Sequence, residues 1–350
     1  SLTPEQMTNF LNVVKSGQPT AIFEDPFPIM DQSVPGTAAP KQPPGGMNPM
    51  MMMQQRQPPQ PKGEIAPLWN MLGVQFTGTE VIWQNYNPFP TISTFPPEFV
   101  FTGPGATDKP YSDESAVASN LRKMLFVFPG AIHRKQASDL EFTPLVYTGT
   151  DTGTVKHDEI MQPSFFGQGG GLNQQRRQRP THEAYILACH IKGKLKDNLP
   201  MQDATEKPAA KDDAAADEGG QKESQINVVL VADIDCLYSE FFNLRNRGQD
   251  EDADVNLDLD NVVFVLNILD TLAGDDSFVE IRKRHPTHAT LTKFEDSTAD
   301  ARLRVMEARE KFKKEFDEKK DLEQKKLDDE IAALQKKKGI DPGELIRLVE

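Results

Sequence analysis

The residues whose types and spacing could do chemistry are two aspartates that follow the most hydrophobic segment of the chain. Residues 226–233 read as a buried strand, and Asp233 and Asp235 stand at its end, two positions apart. Carboxylates at this spacing could bind Mg²⁺, with Asp233 as a phosphoryl-accepting nucleophile and Asp235 as the acid and base. Such a site also needs a lysine and a second acidic pair at later strand ends, and the sequence offers no clear set. We therefore expect no catalytic residue, no metal ligand and no cofactor, and a Mg²⁺-dependent phosphohydrolase stays as the alternative.

Other motifs that could carry chemistry are incomplete. An acidic run starting at Asp250 resembles a calcium loop, but Val255 stands where the turn needs glycine and Asn261 stands where a bidentate glutamate should close the site. The glycines between positions 167 and 171 do not lie between a strand and a helix, as a dinucleotide-binding loop would. Neither motif indicates an activity.

Composition excludes several classes of function. The formal net charge of -14 and the pI of about 5.0 would repel nucleic acid. The two cysteines, Cys189 and Cys236, are too few for a disulfide framework or a four-cysteine zinc site; we expect buried free thiols, with a single bridge between them left open. No segment approaches the ~20 apolar residues of a membrane span. The chain opens at Ser1 and stops at Glu350 within a helical pattern, so we expect anchors in segments outside this sequence.

The first elements of the chain indicate how these residues are positioned. Thr3 to Gln6 carry a helix-start signature, and the helix that follows leads directly into a short apolar run that stops at Pro26. A helix joined to a buried strand predicts a mostly parallel, doubly wound, three-layer α/β sheet like that of flavodoxin. Because the carboxyl ends of parallel strands meet at one sheet edge, we expect a ligand-binding edge. Its predicted residues are Glu24, Asp25, Asp233 and Asp235.

Shifts in composition divide the chain. Residues 1–293 are predicted to form the α/β domain, interrupted by a Pro/Gly/Met/Gln-rich disordered insertion at 31–65 and an Ala/Asp/Lys-rich one at 194–225. Residues 294–338 are a charged helical coiled-coil stalk, and 339–350 start a further helix. We expect the coil to make contacts, including self-association. The apolar stripe that would do so consists of Phe312, Phe316, Leu327, Ile331 and Leu334.

Several blocks of the sequence, in their order, resemble the auxiliary subunits of ABC transporters of the gliding-motility type. These blocks are TAIFEDPFP, LWNMLGV, MLFVFPGAI, FTPLVYTGTDTG, EAYILACHIKG, VVLVADIDCLYSEFF and LDNVVFVLNILDTLAGDD, followed by VEIRKR and a charged coil. They span most of the chain apart from the insertions, and their specificity lies in the order and the coil that follows.

The resemblance implies a domain related to one in an intraflagellar transport protein and to glutamine-amidotransferase-like folds. It implies a non-enzymatic binding or scaffold component of an ABC-type transport system, lying outside the cytoplasm (periplasmic), membrane-anchored, with membrane and ATPase subunits of the transporter as partners. The family offers no catalytic role to transfer to Asp233 or Asp235. A purely structural coil-forming interaction protein is the remaining alternative.

Overall fold

The computed structural model describes residues 2–31, 34–39, 61–89, 95–162, 171–195, 225–247 and 257–282, together with single helical positions between 304 and 326. The chain divides into two compact units, Ser1–His285 and Pro286–Glu350. The first unit is a mixed α/β domain. Among the described helices, none is long and apolar enough to cross a membrane.

The described elements of the first unit follow one another in this order: α1 Pro4–Lys15, β1 Thr20–Phe23, α2 Ala66–Leu72, β2 Val74–Phe76, β3 Glu80–Gln84, β4 Phe99–Thr102, β5 Met124–Val127, β6 Ile132–Arg134, β7 Glu141–Tyr147, β8 Thr152–Lys156, α3 His157–Ile160, β9 Arg179–Pro180, β10 Ile186–Lys194, β11 Gln225–Val231, a 3₁₀ turn Asp235–Leu237, α4 Ser239–Arg247, α5 Asn261–Ala273 and α6 Ser277–Arg282.

The strands form a mixed sheet that is mostly antiparallel, so the predicted mostly parallel, flavodoxin-like sheet is wrong. The largest sheet has six strands in the order β1-β11-β10-β6-β2, with β7 also paired to β10. Within it only β1 and β11 run parallel. A three-stranded sheet, β3-β8-β9, and a two-stranded sheet, β4-β5, are antiparallel throughout.

Burial on both faces explains why these strands resemble parallel ones in sequence. In β11, Val228 and Leu230 face a core that includes Val14 of α1 and Leu68 of α2. Val229 and Val231 face the opposite core, which contains Phe264 and Ile268 of α5. A strand covered on both sides is a continuous apolar run whichever way its neighbours point.

The helix ends follow the expected local rules. The Thr3 side chain accepts a hydrogen bond from the Gln6 backbone, and the Gln6 side chain accepts one from the Thr3 backbone, which confirms the capping box that begins α1. α5 ends at Gly274, whose φ of 77° is left-handed and therefore favours glycine.

Side chains stand in for a neighbouring strand along the free edge of β5. Asn261 accepts a hydrogen bond from Leu125 N (3.0 Å) and donates one to Leu125 O (2.7 Å). Asp233 accepts one from Val127 N at 2.7 Å. These bonds satisfy backbone groups that would otherwise be buried without a partner, and they fix the start of α5 and the end of β11 to the same strand.

Parts of the predicted insertions and of the predicted coil have described positions. Residues 34–39 and 61–65, from the predicted insertion at 31–65, pack against the end of β1. In the second unit, Phe312 and Phe316 are helical and exposed. Leu327, Ile331 and Leu334 lie outside the described residues, as do the acidic run at 250–256 and the glycines at 167–170.

Candidate functional site

The parallel pairing of β1 with β11 brings the predicted edge residues together. Phe23 is level with Val231, and Glu24 N donates to Val231 O at 2.9 Å. Both strands therefore end at the same level, and the acidic residues that follow each strand meet there. A shared carboxyl edge was predicted for a mostly parallel sheet, and the single parallel pair β1–β11 is enough to bring these residues together.

Asp25, Asp233 and Asp235 form a compact acid triad at that edge. One carboxylate oxygen from each lies within 4.8 Å of the others, and all three side chains are buried. Backbone amides hold each carboxylate in place, as the following bonds show. Asp25 accepts from Phe27 N and Ile234 N, Asp233 from Val127 N and Asp235 N, and Asp235 from Ile29 N and Met30 N.

Burial dominates the electrostatics of the triad. Burial raises the pKa of Asp25 well above its ordinary value, and the charges of Asp233 and Asp235 raise it further. The pKa of Asp233 is raised by burial and by the charge of Asp235, and burial likewise raises the pKa of Asp235. No ion pair involves any of the three within the described part of the chain. The triad therefore holds protons at pH values where an exposed aspartate is ionised.

The geometry limits what the triad can do chemically. These three carboxylates are the group, within the described segments, that could hold a metal ion. Asp233, the nucleophile of the phosphohydrolase alternative, is fully buried, and both of its oxygens accept backbone hydrogen bonds. In this conformation a substrate has no route to its carboxylate. The triad ties β1, β5 and β11 together.

A cavity of about 330 Å³ opens beside the triad. Asp25 of the triad lines this cavity. So does Ile234, whose backbone N–H donates to the Asp25 carboxylate. The walls are mainly apolar side chains of α1, β1, α2 and the segments 34–37 and 62–65. The apolar wall residues are Leu2, Met7, Phe10, Ala21, Ile22, Phe23, Pro28, Val34, Pro35, Ile65, Leu68 and Ile234.

The polar end of this cavity is formed by Glu24, Thr37 and Lys62. Burial raises the pKa of Glu24, while a hydrogen bond from Thr37 and the charge of Lys62 act in the opposite direction. Lys62 Nζ donates to the backbone oxygens of Thr37 (2.6 Å) and Ala39 (2.8 Å). Backbone oxygens therefore engage two of the three N–H donors of the Lys62 ammonium group, which keeps its positive charge.

Sequence reasoning found the acidic residues and missed the rest of the cavity. Thr37 and Lys62 fall within the Pro/Gly/Met/Gln-rich stretch that was predicted to be disordered. The structure places Thr37 against the end of β1, where Thr37 N and Oγ1 both donate to Asp25 O. Composition carries no signal for such contacts, because they depend on where β1 ends.

Both cysteines lie in the core rather than at this site. Cys189 and Cys236 are free and buried, and burial raises the pKa of each thiol. The Cys236 thiol donates to Asp233 O at 3.0 Å. Neither thiol has the exposed, ionised character of a nucleophile.

Fold and site together define a mixed α/β domain with a ligand-sized cavity at the end of its one described parallel strand pair. A family model described as "ABC-type uncharacterized transport system" matches residues 1–268. The chain belongs to this family, whose members are auxiliary components of ABC-type transport systems. Comparisons with curated proteins and with solved structures give no match.

Proposed function

We propose that the protein is a non-enzymatic binding component of its transport system, which holds a small, mainly apolar ligand in the cavity between α1, α2 and the end of β1. The observation that carries this proposal is the cavity itself. Its volume of about 330 Å³ and its apolar walls, with a few polar groups at one end, are typical of small-molecule sites. The third N–H of Lys62, at the polar end of the cavity, can hydrogen-bond one polar group of such a ligand.

The proposal includes a location and partners that follow from the family resemblance. We place the domain outside the cytoplasm, on the periplasmic side, as part of a gliding-motility-type system. Membrane anchors in segments outside this sequence would tether it, and the membrane and ATPase subunits of the transporter would be its partners. Exposed helical Phe312 and Phe316 favour the second unit as a contact region, with self-association as one such contact.

A neutral fluorescent probe tests the cavity directly. N-phenyl-1-naphthylamine should bind the full chain with increased fluorescence, because the apolar walls exclude water from the dye. Val34→Trp should weaken that binding at least tenfold, since Val34 lines the cavity and the larger side chain fills it. Val13→Trp is the matched control, because Val13 is exposed on α1 and is not part of the cavity wall.

Two outcomes would contradict the proposal. Equal probe binding by the wild type, Val34→Trp and Val13→Trp would place the dye elsewhere, and no binding by a folded wild type would leave the cavity without a ligand role. Separately, Mg²⁺-dependent phosphatase turnover that is lost in Asp233→Asn would favour the phosphohydrolase alternative.

A further inference from the structure

A second cavity, of about 240 Å³, lies between the six-stranded and the three-stranded sheets. Ala131 and His133 come from the β6 region of the first sheet, and Ile82 and Thr154 come from β3 and β8 of the second. Ile82 N donates to Pro129 O at 2.8 Å, which links β3 to the segment between β5 and β6. The cavity shares no lining residue with the one beside the acid triad.

The floor of this second cavity is apolar and separate from the main cores. Ile82, Ala131 and Tyr185 form a buried cluster of their own. The Tyr185 hydroxyl donates to Thr181 Oγ1 at 2.8 Å, so its oxygen keeps lone pairs that can accept from a ligand. The His133 ring lies edge-on to the Tyr185 ring, with centroids 6.2 Å apart.

The rim of the cavity carries two carboxylates that lack an ion-pair partner in the described segments. Glu80 and Glu183 both line it, and neither lies within 4.0 Å of a basic side chain there. Lys156 stands opposite Glu80 in the register of β3 and β8, yet the two are not joined. Burial raises the pKa of Tyr185, and the negative charges of Glu183 and Glu80 raise it further.

We propose that this second cavity binds a small organic cation carrying primary ammonium groups. The two carboxylates attract positive charge, since neither forms an ion pair in the described segments. The hydroxyl groups of threonine and tyrosine and the imidazole of His133 can complete the hydrogen bonds of an ammonium group. This site is independent of the proposed apolar-ligand site.

Three compounds of equal length separate charge from size. By isothermal titration calorimetry at low ionic strength, 1,5-diaminopentane should bind the full chain, while 1,5-pentanediol and glutarate should not. The double variant Glu80→Gln, Glu183→Gln should weaken diamine binding at least tenfold. The double variant Glu64→Gln, Glu114→Gln is the charge-matched control, since both residues are exposed and neither lines this cavity. Tyr185→Phe keeps the ring and removes one acceptor, and it should weaken binding severalfold.

The proposal is overturned by any of three results. The first is that the diamine does not bind at millimolar concentration. The second is that the diol or the diacid binds as well as the diamine or better. The third is that the Glu80→Gln, Glu183→Gln double variant binds the diamine as tightly as the wild type does. The two glutamates are at the surface rim, so their replacement should leave the thermal unfolding midpoint within a few degrees of the wild type.

Discussion

At the scale of single residues, the acid triad makes the stability of the fold depend on pH, because the fold disfavours ionisation of its carboxyl groups. The carboxyl groups of Asp25, Asp233 and Asp235 have folded-state pKa values above their unfolded values, mainly because they are buried. The folded state therefore binds more protons than the unfolded state above about pH 4, the ordinary pKa of aspartate. It follows that the triad's contribution to stability is largest at low pH and is lost as the pH rises through the folded-state pKa values.

Asp235→Asn tests this origin of pH dependence. The amide oxygen can still accept from Ile29 N and Met30 N, while one negative charge beside Asp25 and Asp233 is removed. We expect the variant to be more stable than the wild type at pH 8 by about 1 kcal/mol, since part of the repulsion is screened by solvent. The difference should shrink at pH 5. Urea unfolding at the two pH values measures it.

A variant that is less stable than the wild type at pH 8 would contradict the account. It would mean that Asp235 is ionised and held by a cation, as in a metal site. Asp158→Asn, at an exposed position away from the triad, is the control and should change stability by less than about 0.5 kcal/mol at either pH.

At the scale of elements, a buried ion pair fastens the segment before β9 to the strand β4. Arg176 Nε and Nη2 each donate to the carboxylate of Glu98 at 2.7 Å. The Glu98 side chain is completely buried and the Arg176 side chain is 8 % exposed. This hydrogen bonding raises the pKa of Arg176 further above its usual value.

Arg176→Ala should destabilise the protein by about 3–5 kcal/mol, because it leaves the Glu98 carboxylate buried without its partner. The adjacent Arg177→Ala is the matched control: Arg177 is exposed, and its loss should cost less than about 0.5 kcal/mol. Chemical denaturation of the two variants measures the difference. Similar stabilities for both would show that the ion pair does not hold this segment.

The helices and strands also show which parts of the fold could be predicted from the sequence. α1 with its capping box and the buried strand that precedes Asp233 follow local rules and were predicted. Strand direction was not, because β10 is apolar on both faces and yet pairs antiparallel with β11 and β7. Direction is set by connections and partners far apart in the chain, which periodicity does not report.

For the candidate sites too, some residues could be predicted from the sequence and others could not. The structure brings Asp25 and Asp233 together, since β1 and β11 are parallel neighbours. Glu80, Glu183 and Tyr185 gave no signal in the sequence, because the cavity that they line forms only where two sheets meet. Residues that act across such a junction become apparent only in the folded molecule.

At the scale of the whole molecule, the two cavities and the acid triad belong to the first compact unit, Ser1–His285. The family match covers residues 1–268 and therefore most of that unit. A net charge of -14 keeps the chain away from polyanions. These features favour a protein that binds small ligands and acts through the transporter with which its family is associated.

Association with the transporter is the measurement that tests this account most directly. The full-length protein, tagged in its native cells, would be cross-linked, purified from membranes and examined by mass spectrometry. We predict that membrane and ATPase subunits of one ABC-type system are enriched with it well above an untagged control. Intact tagged protein that recovers no such subunit, from membranes in which those subunits are detected, would contradict the account.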